Sequence, residues 1–484
     1  MDKYDIVIGL EVHIQLNTNT KIFCNCSTKF GDEPNTNVCP VCTAMPGVLP
    51  VLNKKVVDYA IKVGLGLNCS INKLSVFSRK QYFYPDLPKN YQISQYDKPI
   101  CENGYINLSN GKKIGITRAH IEEDAGKLIH LAGDESLVDY NRTGVPLIEI
   151  VSEPDITSPS ESYDYLVRLK QLIKYLGVSD CNMEEGSLRC DANISIKPRG
   201  SRLFGTKTEI KNLNSFKAVE KSLEYEINRH IEVIEEGNKI IQETRLWDDK
   251  KGITVSMRSK EEANDYRYFP EPDLRNLVLD DEWIENIKKD MPLLPDERLK
   301  ILMEDYDLSN YDANVLILEK SLVEYFEEIV GCILDLDENL DKKTVSKQVS
   351  NWLSVELLGK LNKDNKKIED NKISAKDFAK LIFLLNNNTI SGKIGKIVFE
   401  EMYNSCKSPD EIIKEKNLVQ ITDSKEIEKF VLEVLDNNPK SVSDYKAGKV
   451  KIIGFLVGQI MQKTKGKANP SLVNQLLKAK LDAK

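Results

Sequence analysis

The 484-residue sequence predicts an α+β protein. A sheet-based N-terminal domain with a zinc-ribbon-like insertion is followed by an all-helical domain and a small helical tail domain. Three observations predict this order. Apolar and polar residues alternate with a period of two in several early segments, as in half-buried strands. Two close cysteine pairs interrupt this region. Beyond about residue 293 the chain follows helical periodicity, and we place the domain boundaries at 293/294 and 406/407.

Composition excludes several classes of protein. The 68 Lys and Arg residues nearly balance the 75 Asp and Glu residues, so nucleic-acid contact would need a local basic patch. No apolar run reaches transmembrane length, and no signal-peptide pattern opens the chain, which predicts a cytoplasmic protein with no membrane contact. Ten cysteines in so long a chain do not form a disulfide framework. Chemistry that depends on histidine belongs to the first half, because it holds all four histidines: His13, His120, His130 and His230.

The first predicted strand lies at residues 5–16. Its apolar face consists of Ile6, Ile8, Leu10, Val12, Ile14 and Leu16. The opposite face carries a carboxylate, an imidazole and an amide from Glu11, His13 and Gln15. An ordinary strand with a polar side is the alternative, but the same design recurs downstream, which favours a functional surface.

The cysteine insertion comes next. Its two pairs have zinc-ribbon spacing and are formed by Cys24, Cys26, Cys39 and Cys42. Four thiolates would close a tetrahedral site and leave no position for catalysis, so we predict a structural zinc ion. One alternative is that the four thiols bind no metal. Another is a redox pair formed by the last two cysteines, which would leave the first two unexplained.

An aromatic and basic loop follows at residues 78–97, where Pro85 and Pro88 exclude a regular helix. Rings beside fixed positive charge can stack a base and hold phosphate. The candidates for this role are Arg79, Lys80, Tyr82 and Tyr84. A proline-pinned loop whose tyrosines cover the core is the alternative.

Further strands carry acids and bases. The run 113–127 alternates and ends in the triplet 122–124 of two glutamates and an aspartate, which suits a hard cation, although a solvated turn is the alternative. Glu149 lies between two isoleucines and must be paired, metal-bound or shifted in pKa. The strands around 188–196 and 206–214 show polar faces that include Arg189, Asp191, Lys207, Glu209 and Lys211.

These strands predict one sheet whose polar face lines one cleft. Arginine and lysine suit phosphate oxygens, and carboxylates suit Mg²⁺. The sequence contains no phosphate-binding Gly-rich loop, so a nucleotide here would need another kind of cradle. Between the strands, helical periodicity predicts helices at 53–67, 159–176 and 217–236.

The C-terminal segment 441–484 is rich in lysine and poor in acids. Such a module suits contact with a phosphate backbone without reading of bases, and a solvated helical surface is the alternative. The candidate RNA contacts are Lys463, Lys465 and Lys467.

Six long motifs resemble the B subunit family of the bacterial tRNA-dependent amidotransferase GatCAB. They are GLEVHIQL (9–16), RKQYFYPDLPKNYQISQYD (79–97), GVPLIEIVSEPD (144–155), MEEGSLRCDANISI (183–196), DYRYFPEPDL (265–274) and GFLVGQIMQKTKGKANP (454–470). The resemblance runs from end to end. It implies a cradle domain, a helical domain and a YqeY-like tail that meets the tRNA.

The resemblance also implies an activity. The family uses ATP and Mg²⁺ to phosphorylate the side-chain carboxylate of Glu on tRNA(Gln), or of Asp on tRNA(Asn). Ammonia from an amidase-type glutaminase, the A subunit, then attacks, and a small C subunit completes the heterotrimer. The family's magnesium site corresponds to Glu11, His13, Glu149 and one acid of the triplet, for which we choose Glu123. We assign further catalytic roles to Arg189, Asp191 and Lys211, and nucleotide contact to Lys207.

The chemistry explains why such a site is needed. Phosphorylation gives the carboxylate a good leaving group, and the substrate carboxylate is itself the nucleophile, so no strong base is required. A deep cleft should protect the intermediate from water. The sequence shows no glutaminase nucleophile segment, so a partner must supply ammonia. A zinc-stabilised tRNA-binding module is the alternative, but the carboxylates on the strand faces favour the enzyme.

Overall fold

The structure is a computed structural model that describes residues 3–131, 135–257, 266–418, 424–446, 448–464 and 467–482. The chain divides into two compact units, 1–295 and 296–484. The first unit is built on a large sheet and the second is helical, which confirms the coarse α+β prediction. The predicted boundary at 406/407 stays a prediction.

The strands belong to the first unit. In chain order they are β1 (Tyr4–Gln15), β2 (Ser70–Ile71), β3 (Leu74–Ser75), β4 (Ser78–Gln81), β5 (Tyr91–Ser94), β6 (Cys101–Asn107), β7 (Lys113–Glu123), β8 (Lys127–His130), β9 (Ser136–Asp139), β10 (Pro146–Ser152), β11 (Leu188–Pro198), β12 (Thr208–Lys211), β13 (Glu243–Asp248), β14 (Ile253–Ser256), β15 (Phe269–Pro270) and β16 (Leu277–Val278).

The first unit also contains the helices α1 (Lys54–Gly66), α2 (Pro159–Leu176), α3 (Phe216–Glu235) and α4 (Asp281–Lys289). The first three confirm the helices predicted from periodicity. The helices that follow are α5 (Pro295–Glu304), α6 (Asn310–Leu316), α7 (Lys320–Leu336), α8 (Lys342–Trp352), α9 (Leu358–Lys363), α10 (Ala375–Asn386), α11 (Gly392–Ser405), α12 (Pro409–Glu415), α13 (Ser424–Asn437), α14 (Pro439–Lys446), α15 (Ile452–Lys463) and α16 (Pro470–Asp482).

A nine-stranded sheet organises the first unit, in the order β14-β13-β12-β11-β1-β10-β7-β6-β2. Neighbouring strands are antiparallel except for the parallel pair β12–β13. The central strand β1 pairs with β10 on one side and β11 on the other. This register sets His13 opposite both Glu149 and Arg189, and Glu11 opposite Asp191. Residues far apart in sequence therefore meet on one face of the sheet.

The two faces of this sheet differ in chemistry. The even-numbered apolar residues of β1, from Ile8 to Ile14, are almost completely buried. They belong to one hydrophobic core with residues of α1, α2 and α3. The odd-numbered residues Glu11 and His13 occupy the opposite face, which we call the front face. Period-two alternation therefore separates the core from the polar surface, as predicted.

An irregularity in β7 decides which of its residues reach the front face. Arg118 is opposite Val151, but the next partner pair is Ile116 with Ser152, so the register shifts by one residue. Such a bulge changes which side chains point to each face. Ile116 is buried before the bulge and Ala119 after it. Consequently Arg118, His120 and Glu122 take the front face.

The tail of the second unit has its own small core, formed by α13, α15 and α16 with buried residues that include Ile427, Val431, Leu456, Ile460 and Leu477. Within the described ranges, no helix combines the length and the apolar character needed to cross a membrane.

Candidate active site

The front face opens into a cavity of about 540 Å³, which we call the front cavity. Strands β1, β4, β5, β7, β10, β11 and β12 contribute to its wall. Its acidic, basic and imidazole side chains are Glu11, His13, Lys80, Arg118, His120, Glu122, Asp124, Glu149, Arg189, Asp191, Glu209 and Lys211. The predicted single cleft is thus present as a geometric feature.

Three of these side chains form a cluster that could hold a metal ion. The Nε2 atom of His13 lies 3.4 Å from Oε1 of Glu122 and 3.5 Å from Oε2 of Glu149. One ligand atom from each residue lies within 4.8 Å of the other two. His120 adjoins the cluster, with its Nε2 atom 3.3 Å from the same oxygen of Glu149. We call His13, Glu122 and Glu149 the acid–imidazole cluster.

Charges inside the cluster shift its pKa values in opposite directions. Burial lowers the pKa of His13, but the hydrogen bond with Glu149 and the charge of Glu122 raise it to about 9. Burial raises the pKa of Glu149, but His120 and His13 hold it well below its ordinary value. For Glu122, burial and the charge of Glu149 raise the pKa. The two carboxylates therefore depend on a nearby positive charge.

Two buried atoms beside the cluster have no hydrogen-bond partner among the described residues. They are Oε2 of Glu122 and Nδ1 of His120. An unpaired carboxylate oxygen that is shielded from water costs free energy unless a ligand meets it. Two carboxylates and an imidazole are suitable ligands for a divalent cation that keeps some of its water. The residues present therefore fit the predicted cation.

The choice of Glu123 as a ligand is corrected by this geometry. Glu123 lies on the opposite side of β7, where its carboxylate accepts the backbone N–H of Ile93 at 2.8 Å and forms an ion pair with Lys89. Its neighbour Glu122 joins the cluster instead. The physical reason is the alternation after the bulge, which puts Ala119, Ile121 and Glu123 behind the sheet.

The far end of the cavity contains a second polar group. Lys211 donates to Asp191 at 2.6 Å and lies 3.1 Å from Glu209. Glu11 accepts the side-chain N–H of Asn193 at 2.9 Å, and burial raises the pKa of this carboxyl. Glu11 lines the cavity but is not one of the three residues whose ligand atoms meet. Its predicted role as a metal ligand beside His13 and Glu149 stays a prediction.

The predicted catalytic cations already have acidic partners. Arg189 donates to Asp124 at 2.7 Å, and Lys211 is held by Asp191 and Glu209. Each cation is therefore largely neutralised before any ligand enters.

The predicted nucleotide-binding residues fall into two sets. Lys80 and Tyr82 line the front cavity, whereas Arg79 makes a bidentate ion pair with buried Glu271 at 2.7 and 2.8 Å. Tyr84 lines a neighbouring cavity of about 710 Å³ that also contains Lys80 and Tyr82. Lys207 is exposed and is not part of either cavity wall.

Sequence reasoning missed several cavity residues. Arg118 and His120 could have been found by extending the period-two pattern backwards from Glu122. Tyr96 and Tyr268 stack with ring centroids 4.1 Å apart and line the cavity. They come from segments distant in sequence, so no local pattern predicts their meeting.

Comparison with known proteins identifies the family. A family model described as "GatB/GatE catalytic domain" matches residues 6–285 and therefore spans the front cavity. A second, described as "GatB domain", matches residues 335–481. The chain belongs to the GatB family.

Curated relatives agree over the full length of the chain. The B subunit of an aspartyl/glutamyl-tRNA(Asn/Gln) amidotransferase from Carboxydothermus hydrogenoformans is 59% identical, with 99% of each chain covered. Proteins of the same name from Thermoanaerobacter pseudethanolicus and Geotalea daltonii are 55% and 53% identical, again with 99% of each chain covered. The resemblance seen in the six motifs is confirmed.

The four cysteines of this GatB-family chain lie together as predicted by their spacing. Their sulfur atoms are all within 4.8 Å of one another, and none is in a disulfide. A hydrogen bond from Cys24 lowers the pKa of Cys42 to about 4, against the effect of burial. Four thiol groups at this separation fit a tetrahedral metal ion.

The structure describes two of the three tail lysines that the sequence predicts as RNA contacts. Lys463 pairs with Glu433, and Lys467 is half-buried. Lys465 lies outside the described residues. No bound RNA tests these assignments, which stay predictions.

Proposed function

We propose that this chain is the B subunit of an aspartyl/glutamyl-tRNA(Asn/Gln) amidotransferase, a ligase that forms carbon–nitrogen bonds. In this proposal the front cavity uses ATP to activate the side-chain carboxylate of Glu, or Asp, on a mischarged tRNA. The observation that carries it is the acid–imidazole cluster of His13, Glu122 and Glu149, which lies in a sheltered cavity within the region that matches the catalytic-domain family.

The proposed reaction has two steps. First, a side-chain carboxylate oxygen of the substrate attacks the γ-phosphorus of ATP, and ADP leaves. Ammonia then attacks the acyl carbon, the bond between that carbon and the phosphate oxygen breaks, and orthophosphate leaves with this oxygen. The proton released from ammonia passes to a cavity base or to water. The product is Gln-tRNA(Gln) or Asn-tRNA(Asn).

The residues of the cavity suit these steps. His13, Glu122 and Glu149 would hold Mg²⁺, which would supply charge neutralisation for phosphate oxygens. Burial lowers the pKa of Lys80, but the charge of Glu122 and other nearby acidic groups raise it above its ordinary value. Its ammonium group lies over the ring of Tyr266, 5.0 Å from the centroid, and its side chain lines the cavity that would hold the anionic ligand. Glu11, Asp191 and Lys211 form the polar end that we assign to the incoming carboxylate or ammonia.

The proposed complex needs partners. The relatives are named as a B subunit, which implies further subunits, and the sequence has no glutaminase nucleophile segment. We assign ammonia production to an amidase-type A subunit, and a stabilising role to a small C subunit. The lysine-rich tail, including Lys467, would contact the tRNA backbone.

The sharpest test compares two adjacent glutamates in the complete complex, with ammonium chloride as nitrogen donor. Glu122→Gln is expected to lower ATP-dependent conversion of Glu-tRNA(Gln) by about 10²-fold or more, because it removes one of the charged side chains that would hold the proposed Mg²⁺. Glu123→Gln is expected to lower the melting temperature by breaking the pair with Lys89, yet to amidate at a rate near wild type below that temperature.

If Glu122→Gln kept full activity while Glu123→Gln was folded but inactive, Glu123 and not Glu122 would belong to the active site. As a control, the wild-type complex should not convert Glu-tRNA(Gln) when ATP is omitted. ATP-independent conversion by the wild-type complex would contradict the proposed function itself.

We also propose that Cys24, Cys26, Cys39 and Cys42 hold a structural Zn²⁺ in a zinc-ribbon-like segment. The purified chain is then expected to contain about one zinc ion, since four thiolates complete a tetrahedral site. Cys42→Ser should lose most of this zinc and lower the melting temperature, as measured by metal analysis and thermal unfolding. Cys332→Ser, a cysteine of the second unit, is the matched control. Equal zinc content in both variants would contradict the assignment.

A further inference from the structure

Arg118 differs from the other arginine of the front cavity, Arg189, in having no acidic partner among the described residues. Arg189 pairs with Asp124, and Lys211 pairs with Asp191. The cavity wall contains six carboxylates, yet no described carboxylate oxygen lies within 4.0 Å of the Arg118 guanidinium. Its Nε atom is buried and has no hydrogen-bond partner among the described residues. A shielded guanidinium N–H without a partner indicates a position prepared for an anion.

The bulge in β7 directs this arginine into the cavity. Without the register shift between Ile116 and Arg118, the side chain of residue 118 would join the apolar face behind the sheet. Beyond the bulge, Arg118 and His120 are two residues apart on the same face, a separation of about 7 Å along the strand. His120 contacts Glu149 of the acid–imidazole cluster. Arg118 therefore lines the same cavity wall as His120, two residues along the strand from the side chain that adjoins the cluster.

We infer that Arg118 binds oxygens of the phosphoryl group that passes from ATP to the substrate carboxylate and leaves as orthophosphate. This inference rests on the proposed function. The planar, positively charged guanidinium can donate two parallel hydrogen bonds to a phosphoryl group. A phosphoryl group would have the cluster at one side and Arg118 at another, with Lys80 on the wall formed by β4.

The alternative hypothesis is that Arg118 only offsets the negative charge of the cavity carboxylates. Any cation would then serve, so Arg118→Lys would behave as wild type. Bidentate recognition of a phosphoryl group predicts otherwise, because the ammonium of lysine cannot reproduce the planar pair of donors. A second source of the same ligand chemistry is the phosphate of the last nucleotide of the tRNA.

The experiment uses the complete complex with ammonium chloride as nitrogen donor, and compares Arg118→Gln, Arg118→Lys and the exposed control Arg202→Gln. For Arg118→Gln we expect the KM for ATP to rise about 10- to 100-fold, as for the loss of charge-assisted hydrogen bonds. Inhibition by added orthophosphate should weaken by a similar factor. Arg118→Lys should recover only part of the loss, and Arg202→Gln should match wild type.

The Kd for aminoacyl-tRNA, measured without ATP, separates the two phosphate sources and should change less than twofold in Arg118→Gln. A weakened tRNA complex with an unchanged KM for ATP would overturn the inference, and so would wild-type behaviour in both measurements. Melting curves establish that each variant is folded. If the wild-type complex amidates only with ATP while Arg118→Gln is unaffected, this inference fails and the proposed function stands.

Discussion

Glu149→Gln is expected to lower the rate of ammonium-dependent amidation by about 10²- to 10³-fold, the range seen when one preorganised electrostatic group is removed from an active site. Glu149 touches both imidazoles of the cluster, with Oε2 3.5 Å from Nε2 of His13 and 3.3 Å from Nε2 of His120. The amide keeps the shape of the side chain and removes its charge. Both the histidines and the proposed cation would lose their shared counter-charge.

The measurement is single-turnover conversion of Glu-tRNA(Gln) at saturating ATP, together with Mn²⁺ binding followed by electron paramagnetic resonance. Glu149→Gln should weaken Mn²⁺ binding at least tenfold and leave the Kd for tRNA unchanged. Glu185→Gln, an exposed residue outside the cavity, is the matched control. A variant that binds Mn²⁺ and amidates as wild type would show that the cluster is not the activation site.

Glu226→Ala is expected to reduce the free energy of unfolding of the N-terminal unit by about 3–5 kcal/mol, the usual cost of breaking a buried ion pair. Glu226 lies on α3 with no solvent exposure. It accepts a hydrogen bond from Arg229 at 2.7 Å, contacts Nε of Arg245 at 3.1 Å and contacts Nε2 of His230 at 3.4 Å. Its removal would leave the guanidinium groups of Arg229 and Arg245 to share the single remaining carboxylate of Glu243.

The same residue gives a defined pH dependence. Burial raises the pKa of Glu226, but hydrogen bonds from His230 and Arg229 outweigh this and lower it to about 2. A carboxyl whose folded pKa lies below its unfolded value stabilises the fold at higher pH. This contribution is complete above the unfolded pKa of about 4.3 and is lost as the pH falls towards 2.

Urea unfolding at several pH values between 3 and 7 measures both effects. Wild type should lose stability more steeply than Glu226→Ala as the pH falls below about 4.3. Glu232→Ala, an exposed position on the same helix, should differ from wild type by less than about 0.5 kcal/mol at pH 7. Parallel pH profiles of wild type and Glu226→Ala would contradict the assigned role of this carboxylate.

Period-two alternation explains why much of the cavity wall could be anticipated. Alternation is a local property of a strand, and it assigned Glu11, His13, Asp191 and Lys211 to one polar face without knowledge of the sheet order. The structure places all four on the wall of one cavity. Their catalytic roles stay proposals.

The remaining differences have non-local causes. The bulge in β7 reverses alternation within one strand, so Glu122 and not Glu123 meets His13. Arg79 points away from the cavity and pairs with Glu271, which comes from a segment 192 residues later. A local sequence pattern predicts neither the register shift in β7 nor the distant partner of Arg79.

Isotope transfer tests the central claim most directly, because it follows the oxygen that phosphorylation of the carboxylate must move. Glu-tRNA(Gln) carrying ¹⁸O in both side-chain carboxylate oxygens would be amidated by the complete complex with ATP and ammonium chloride. We predict that each orthophosphate released contains one ¹⁸O atom, and that the amide keeps the other. Orthophosphate without ¹⁸O, formed in step with Gln-tRNA(Gln), would contradict activation of the carboxylate by phosphoryl transfer.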